Sequence, residues 1–137
     1  MRPYTHHVKY YETDQMSIAH HSNYIRWMEE AKMDFLDQIG LNYNAMEEKG
    51  IISPVVSVEC HYKLSTFFDD VVTIHVTLGE FKGVRLKLHY EIFRPDGELA
   101  AVGDSENCFT DRKGRPVPVK RFDPELNAKL TEMAAQS

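Results

Sequence analysis

Three features of the sequence predict an α+β fold. One long stretch near the N-terminus has helical periodicity, and several long stretches after it have a period of two. Only short turn signals separate the latter, which makes neighbouring strands antiparallel. One helix with an apolar stripe then fits against a single face of an antiparallel sheet, in two layers.

Taken in order, Tyr4, His6, Val8 and Tyr10 alternate, so the first strand is expected within Met1–Tyr11, followed by a loop from Glu12 to His21. From Asn23 the period changes. Tyr24, Trp27, Met28, Ala31, Phe35 and Ile39 fall at spacings of three and four, with Arg26, Glu29, Glu30, Lys32, Asp34 and Asp37 on the opposite face. Ser22 is the expected N-cap and Gly40 the stop, giving a helix of roughly 16 residues. A short helical turn is expected over Asn44–Lys49, ended by Gly50.

Strands follow. Val56, Val58, Cys60, Tyr62 and Leu64 alternate with polar residues, as do Val72, Ile74, Val76 and Leu78, and again Leu86, Leu88, Tyr90 and Ile92. Each is read as a strand with one buried face. Phe68-Asp69-Asp70, Lys82-Gly83 and Pro95-Asp96-Gly97 break them. Leu99–Thr110 is a further strand, closed by Asp111-Arg112-Lys113-Gly114, and Asp123–Ala135 a terminal helix. Val55, Val71 and Ala100 on the other sheet face leave room for a partner subunit.

The 137 residues are read as one domain, residues 1–137. Hydrophobic residues at 42% and charged residues at 27% exclude a disordered chain. A net charge of −5 argues against nucleic-acid binding, although local Lys and Arg can still hold an anionic small ligand. Cys60 and Cys108 stand outside any CxxC, and no secretory apolar segment opens the chain. They are therefore expected to be free thiols in a cytoplasmic protein. No apolar run approaches the ~20 residues of a membrane-spanning helix.

The stretch Tyr10–Tyr24 concentrates the chemistry: carboxylates at Glu12 and Asp14, adjacent imidazoles at His20 and His21, and the Asn23 amide. A carboxylate just before a helix start can act as base or nucleophile, while the first free N–H groups of the helix stabilise negative charge on an oxygen. The ordinary alternative for Asp14 is local hydrogen bonding to its own loop. No metal is expected at His6-His7 or His20-His21, because neighbours on an extended strand point to opposite faces and no HExxH or Cys/His cluster accompanies them.

Tyr10-Tyr11-Glu12-Thr13-Asp14 followed by His21-Ser22-Asn23-Tyr24-Ile25-Arg26-Trp27-Met28-Glu29 resembles the opening of the 4-hydroxybenzoyl-CoA thioesterase-like acyl-CoA thioesterases. Gly50-Ile51-Ile52-Ser53-Pro54-Val55-Val56, Phe68-Asp69-Asp70-Val71-Val72-Thr73-Ile74, Tyr90-Glu91-Ile92 and Asp111-Arg112-Lys113-Gly114-Arg115-Pro116 continue it, over about residues 4–120. Gln15-Met16-Ser17 departs from a family loop that commonly carries a small residue or glycine.

The resemblance implies the hot-dog fold, a long central helix wrapped by a curved antiparallel sheet. It implies hydrolysis of an acyl-CoA thioester without a cofactor, and a homodimer or homotetramer. Asp14 would attack the thioester carbonyl directly or through water, and the His21 N–H would polarise the carbonyl oxygen. Tyr10, Asn23 and Tyr24 are expected to position substrate or water, with packing as the alternative for Tyr24 and Trp27. Glu12 is expected to be a surface charge. Lys63, Lys82, Arg85 and Lys87 are candidates to face coenzyme A phosphates, with ordinary solvated charges as the alternative. The rival reading is a non-catalytic acyl-thioester-binding or protein-interaction module on the same fold, against which Asp14 argues.

Overall fold

In the computed structural model, which describes residues 1–136, the predicted helix is α1, Ser22–Gln38, 17 residues long. Trp27, Met28, Ala31 and Phe35 of its apolar stripe are buried. Gly40 ends it at φ 98°, with the Gly40 N–H donating to the Asp37 carbonyl and the Leu41 N–H to the Leu36 carbonyl.

Two expectations for this helix are corrected. Ser22 is not the cap but the first helical residue; its N–H donates to His20 Nδ1 at 3.2 Å, so the imidazole does the work a Ser side chain usually does. Lys32, placed on the polar face by its spacing, is buried. Its ammonium pairs with Glu29 at 2.8 Å.

The remaining elements are β1 (Tyr4–His7), a 3-10 turn (Tyr10–Glu12), α2 (Tyr43–Glu48), β2 (Ile51–Ile52), β3 (Val55–Tyr62), β4 (Val71–Phe81), β5 (Arg85–Phe93), β6 (Leu99–Cys108), β7 (Thr110–Asp111), α3 (Val119–Phe122) and α4 (Pro124–Ala135). Five strands form an antiparallel sheet in the order β1-β4-β5-β6-β3, and β2 pairs with β7. With helices beside it, this is an α+β architecture.

β1 is shorter than expected because the chain turns at Lys9, where the Glu12 N–H bonds back to the Lys9 carbonyl. It pairs with β4 in the register His6↔Val72. Alternation translates into burial in β4 and β5: Val72, Ile74, Leu78, Leu86, Leu88, Tyr90 and Ile92 are all buried. In β3 it does not. Val56 is 46% exposed, Val58 39% and Tyr62 46%. The reason is position, because β3 is a sheet edge and its alternating residues find no core within this chain.

The chain falls into two compact units. The first comprises Met1–Phe35, Glu59–Thr77 and His89–Asp104. There α1 comes so close to β6 that a side chain on Gly103 would lie 2.7 Å from Met28 Cε and 2.9 Å from the Glu59 carbonyl oxygen; only glycine fits. The second comprises Leu36–Val58, Leu78–Leu88 and the chain from Ser105. Within it Asp123 caps α4 by accepting the Leu126 N–H, Leu126 and Leu130 are buried, and the Lys129 ammonium donates to the Ile39 carbonyl. Among the described residues, no helix is long and apolar enough to cross a membrane.

Candidate active site

The loop between the 3-10 turn and α1 is closed on itself. The His20 N–H donates to the Glu12 carbonyl at 2.8 Å, Thr13 and Ala19 form an isolated bridge, and the Asp14 N–H donates to the Ile18 carbonyl at 2.9 Å. Ser17 takes φ 62°, in the left-handed region that favours glycine. The loop is also tied outward. The Ala19 N–H donates to the Thr66 carbonyl, and the Phe68 N–H to the Ser17 carbonyl.

This geometry holds Asp14 by one oxygen. Oδ1 accepts the Met16 N–H at 2.8 Å and the Ile18 N–H at 3.2 Å. Oδ2 has no hydrogen-bond donor among the described residues. The local reading of Asp14 and the chemical one are thus both satisfied, each by a different oxygen.

Asp14 lines a cavity of about 360 Å³ together with His20, His21, Tyr24, Tyr62 and Lys63. The rings of His20 and His21 stack at 4.2 Å, and Tyr62 approaches His21 edge-on at 5.9 Å. The first bonds of the helix start use the His20 and His21 carbonyls, which accept from the Asn23 and Tyr24 N–H groups, while the His21 N–H has no acceptor among the described residues. Lys63 is exposed at the cavity, its backbone N–H fixed to the Ala100 carbonyl at 2.8 Å. Among the described residues its ammonium has no ion-pair partner.

The other predicted site residues are engaged differently. Tyr24 lines the cavity, but its hydroxyl pairs with Thr66 Oγ1 at 2.7 Å and its ring packs against Trp27. Burial raises its pKa, with the Thr66 hydrogen bonds opposing. Asn23 is buried and does not line the cavity; its amide donates to the Glu12 carbonyl at 2.8 Å and the His20 carbonyl at 3.3 Å. Tyr10 is 72% exposed and meets Phe68 edge-on. Arg85 belongs to the second unit, where it lines a separate cavity with Glu80, Lys82, Lys87 and Glu106 and pairs with Glu106 at 3.1 Å. Among the described residues, no group of three or more His, Cys, Asp or Glu is placed to hold a metal ion.

Two residues escaped the sequence reading. Tyr62, which donates its hydroxyl to the His21 carbonyl at 3.2 Å, looked like one more member of an alternating strand. Burial raises its pKa, with the neighbouring Cys60 adding to the effect. Glu12, expected on the surface, is only 7% exposed. Its oxygens take hydrogen bonds from His6, the Lys9 N–H and the Trp27 indole, all at 2.8 Å. Burial works to raise the Glu12 pKa, but these bonds outweigh it and hold the carboxyl below its ordinary value.

The sequence pattern of the thioesterase-like superfamily matches residues 8–130. The chain belongs to this superfamily. YneP of Bacillus subtilis (strain 168) is 32% identical over 119 residues, covering 86% of this chain and 86% of that one. A DHNA-CoA thioesterase from Staphylococcus aureus is similar in structure at a TM-score of 0.90 and 31% identity, covering 98% of this chain and 93% of its own. The 4-hydroxybenzoyl-CoA thioesterase of Pseudomonas sp. (strain CBS-3) is 25% identical over 100 residues, 69% of this chain and 71% of that one. The matched span contains the whole stretch from Tyr10 to Trp27, which the fold turns into a 3-10 turn, one loop and one helix start.

Proposed function

We propose that the chain is an acyl-CoA thioesterase in which Asp14 acts on the thioester carbonyl and the His21 N–H stabilises the resulting oxyanion. The reaction class rests on superfamily membership: the chain is a thioester hydrolase. The single observation that carries the residue assignment is the half-committed Asp14 carboxylate. One oxygen is anchored by two backbone N–H groups and the other is unused, in a cavity shared with His21. In the reaction the free oxygen attacks the carbonyl carbon, or takes a proton from a water that does so. The carbonyl oxygen becomes negative against the His21 N–H, and the C–S bond then breaks, coenzyme A leaving as a thiolate that takes up a proton. Where water attacked, the acid is formed directly; where Asp14 attacked, a mixed anhydride remains that water hydrolyses to the acid and the free carboxylate. Loss of a single such donor in other enzymes costs on the order of 10²–10³ in rate.

Lys63 is assigned to the anionic end of the substrate, because its ammonium is unpaired and exposed. Tyr62 holds the His21 backbone, and the Tyr24 ring forms a wall. The proposal extends to architecture, a single hot-dog domain with α1 as its central helix, and to assembly. Val55, Val56 and Val58 are exposed apolar residues on an edge strand, the place where a second copy extends the sheet and covers them.

Thiol release from a panel of acyl-CoAs of varied chain length and aromaticity tests the activity. Steady release from at least one member is expected; background rates with all of them would end the reading. Assembly is tested by sedimentation. A dimer or tetramer that Val56→Glu converts to monomer is expected, and a monomeric wild type would refute that part alone.

A further inference from the structure

Five hydrogen bonds converge on Glu12, three of them on its carboxylate against two on that of Asp14, although Glu12 does not line the cavity. Three reach its carboxylate and come from separate places: His6 on β1, the Lys9 N–H at the start of the 3-10 turn, and the indole of Trp27 on α1. Two reach its carbonyl oxygen, from the His20 N–H and the Asn23 amide. Between Glu12 and His20 lies the loop that carries Asp14, and His21 follows directly.

We infer that Glu12 is a positioning residue, whose carboxylate fixes the Asp14 loop and the His21 amide in one geometry. It touches neither substrate nor reacting atoms and acts through its neighbours. Its side chain sets where the loop leaves the turn, and its carbonyl sets where the loop returns to the helix. Asp14 and His21 are both within two residues of those two fixed points. A carboxylate suits the task because it only accepts: three donors from three elements meet on two oxygens without conflict. An amide of the same shape would turn N–H groups toward one of those donors. His6 is braced in turn, its other ring nitrogen lying 3.1 Å from Glu30. Asn23 finds its use here as the second clamp on the Glu12 carbonyl.

The inference rests on the thioesterase reading of Asp14 and His21, so its test carries a readout independent of turnover. Glu12→Gln is compared with wild type in kcat and KM on an acyl-CoA that wild type hydrolyses, and in residue-resolved amide hydrogen exchange. Exchange at the Met16 and Ile18 amides, which bond Asp14, and at the His20 amide should rise by about tenfold or more, with Ile92 in β5 unchanged. In parallel kcat should fall by about 10–100-fold with KM within about twofold, as displacement of a correctly bound reacting pair requires.

A folded Glu12→Gln protein with wild-type exchange at these amides, or with wild-type kcat, overturns the inference. If Glu12→Gln does not fold, Trp27→Phe removes one donor and must shift the same amides and kcat in the same direction; wild-type values there overturn it equally. A wild type without thioesterase activity defeats the proposed function, while the exchange result still decides whether Glu12 positions the loop.

Discussion

The cavity beside Asp14 and the cluster around Arg85 contain similar residue types and use them in different ways. Around Arg85 the charges are spent on one another. Lys82 and Lys87 both pair with Glu80, and Arg85 pairs with Glu106. These pairs hold Glu80 below its ordinary pKa, the Lys82 hydrogen bond foremost. Around Asp14 valences are left over: one carboxylate oxygen, one backbone N–H at a helix start and one ammonium. A ligand gains little by entering a cluster whose ions already have partners, because it must displace them. It gains most where donors and acceptors are fixed in place but unsatisfied. Charge density alone, which made Arg85 and Lys63 equal candidates in the sequence, does not separate the two cases; commitment does.

The contrast can be broken at several points. Asp14→Asn should produce the largest change, a fall in kcat of about 10²–10⁴ with the fold intact, since it removes the charge of the oxygen proposed to act while retaining much of the side chain's shape. Full kcat in that variant would mean a thioesterase whose chemistry does not pass through the Asp14 carboxylate. His21→Ala should lower kcat by about 3–10-fold, less than loss of a donor, because the amide proposed to polarise the carbonyl stays. A drop matching that of Asp14→Asn would move the role from backbone to imidazole. For Lys63→Ala the expected result is a KM increase of about 2–5-fold that shrinks as salt is added, with kcat unchanged. Arg85→Ala should change KM by less than about twofold. If it raises KM as much as Lys63→Ala, committed charges bind substrate as well as free ones and the contrast fails.

Glu12 supplies a smaller test, through pH. Its pKa is lowered in the folded chain, so the stability it contributes is complete above the unfolded carboxyl value of about 4.3 and fades as pH falls through that value toward the folded one. Wild-type Tm should therefore drop more steeply between pH 5 and pH 3 than that of Glu12→Gln. Parallel Tm curves would mean the carboxylate's bonds add nothing to the folded state.

The sequence was legible where the determining physics is local. The stripe of α1, the Gly40 stop, the alternation of β4 and β5 and the turn at Pro95-Asp96-Gly97 depend on neighbours a few residues apart, and all are where periodicity put them. Family likeness, not periodicity, singled out Asp14 and His21. What stayed hidden depends on contacts distant in sequence. Glu12 looked like a surface charge because Trp27, fifteen residues on, and His6 become its partners only when helix and strand pack. Lys32 looked exposed because spacing cannot reveal that the packed fold covers the whole side chain, with Glu29 as its partner. The alternation of β3 looked like a buried face because it reports an apolar side without saying whether the chain's own core covers it.

The most direct test follows a non-hydrolysable thioether analogue of an acyl-CoA by amide chemical shifts in isotope-labelled protein. The largest movements should fall at His21 and at Ile18 and Ser65, which also line the Asp14 cavity, with Lys82, Arg85 and Lys87 little changed. Shifts confined to Lys82, Arg85 and Lys87, with His21 still, would contradict the account.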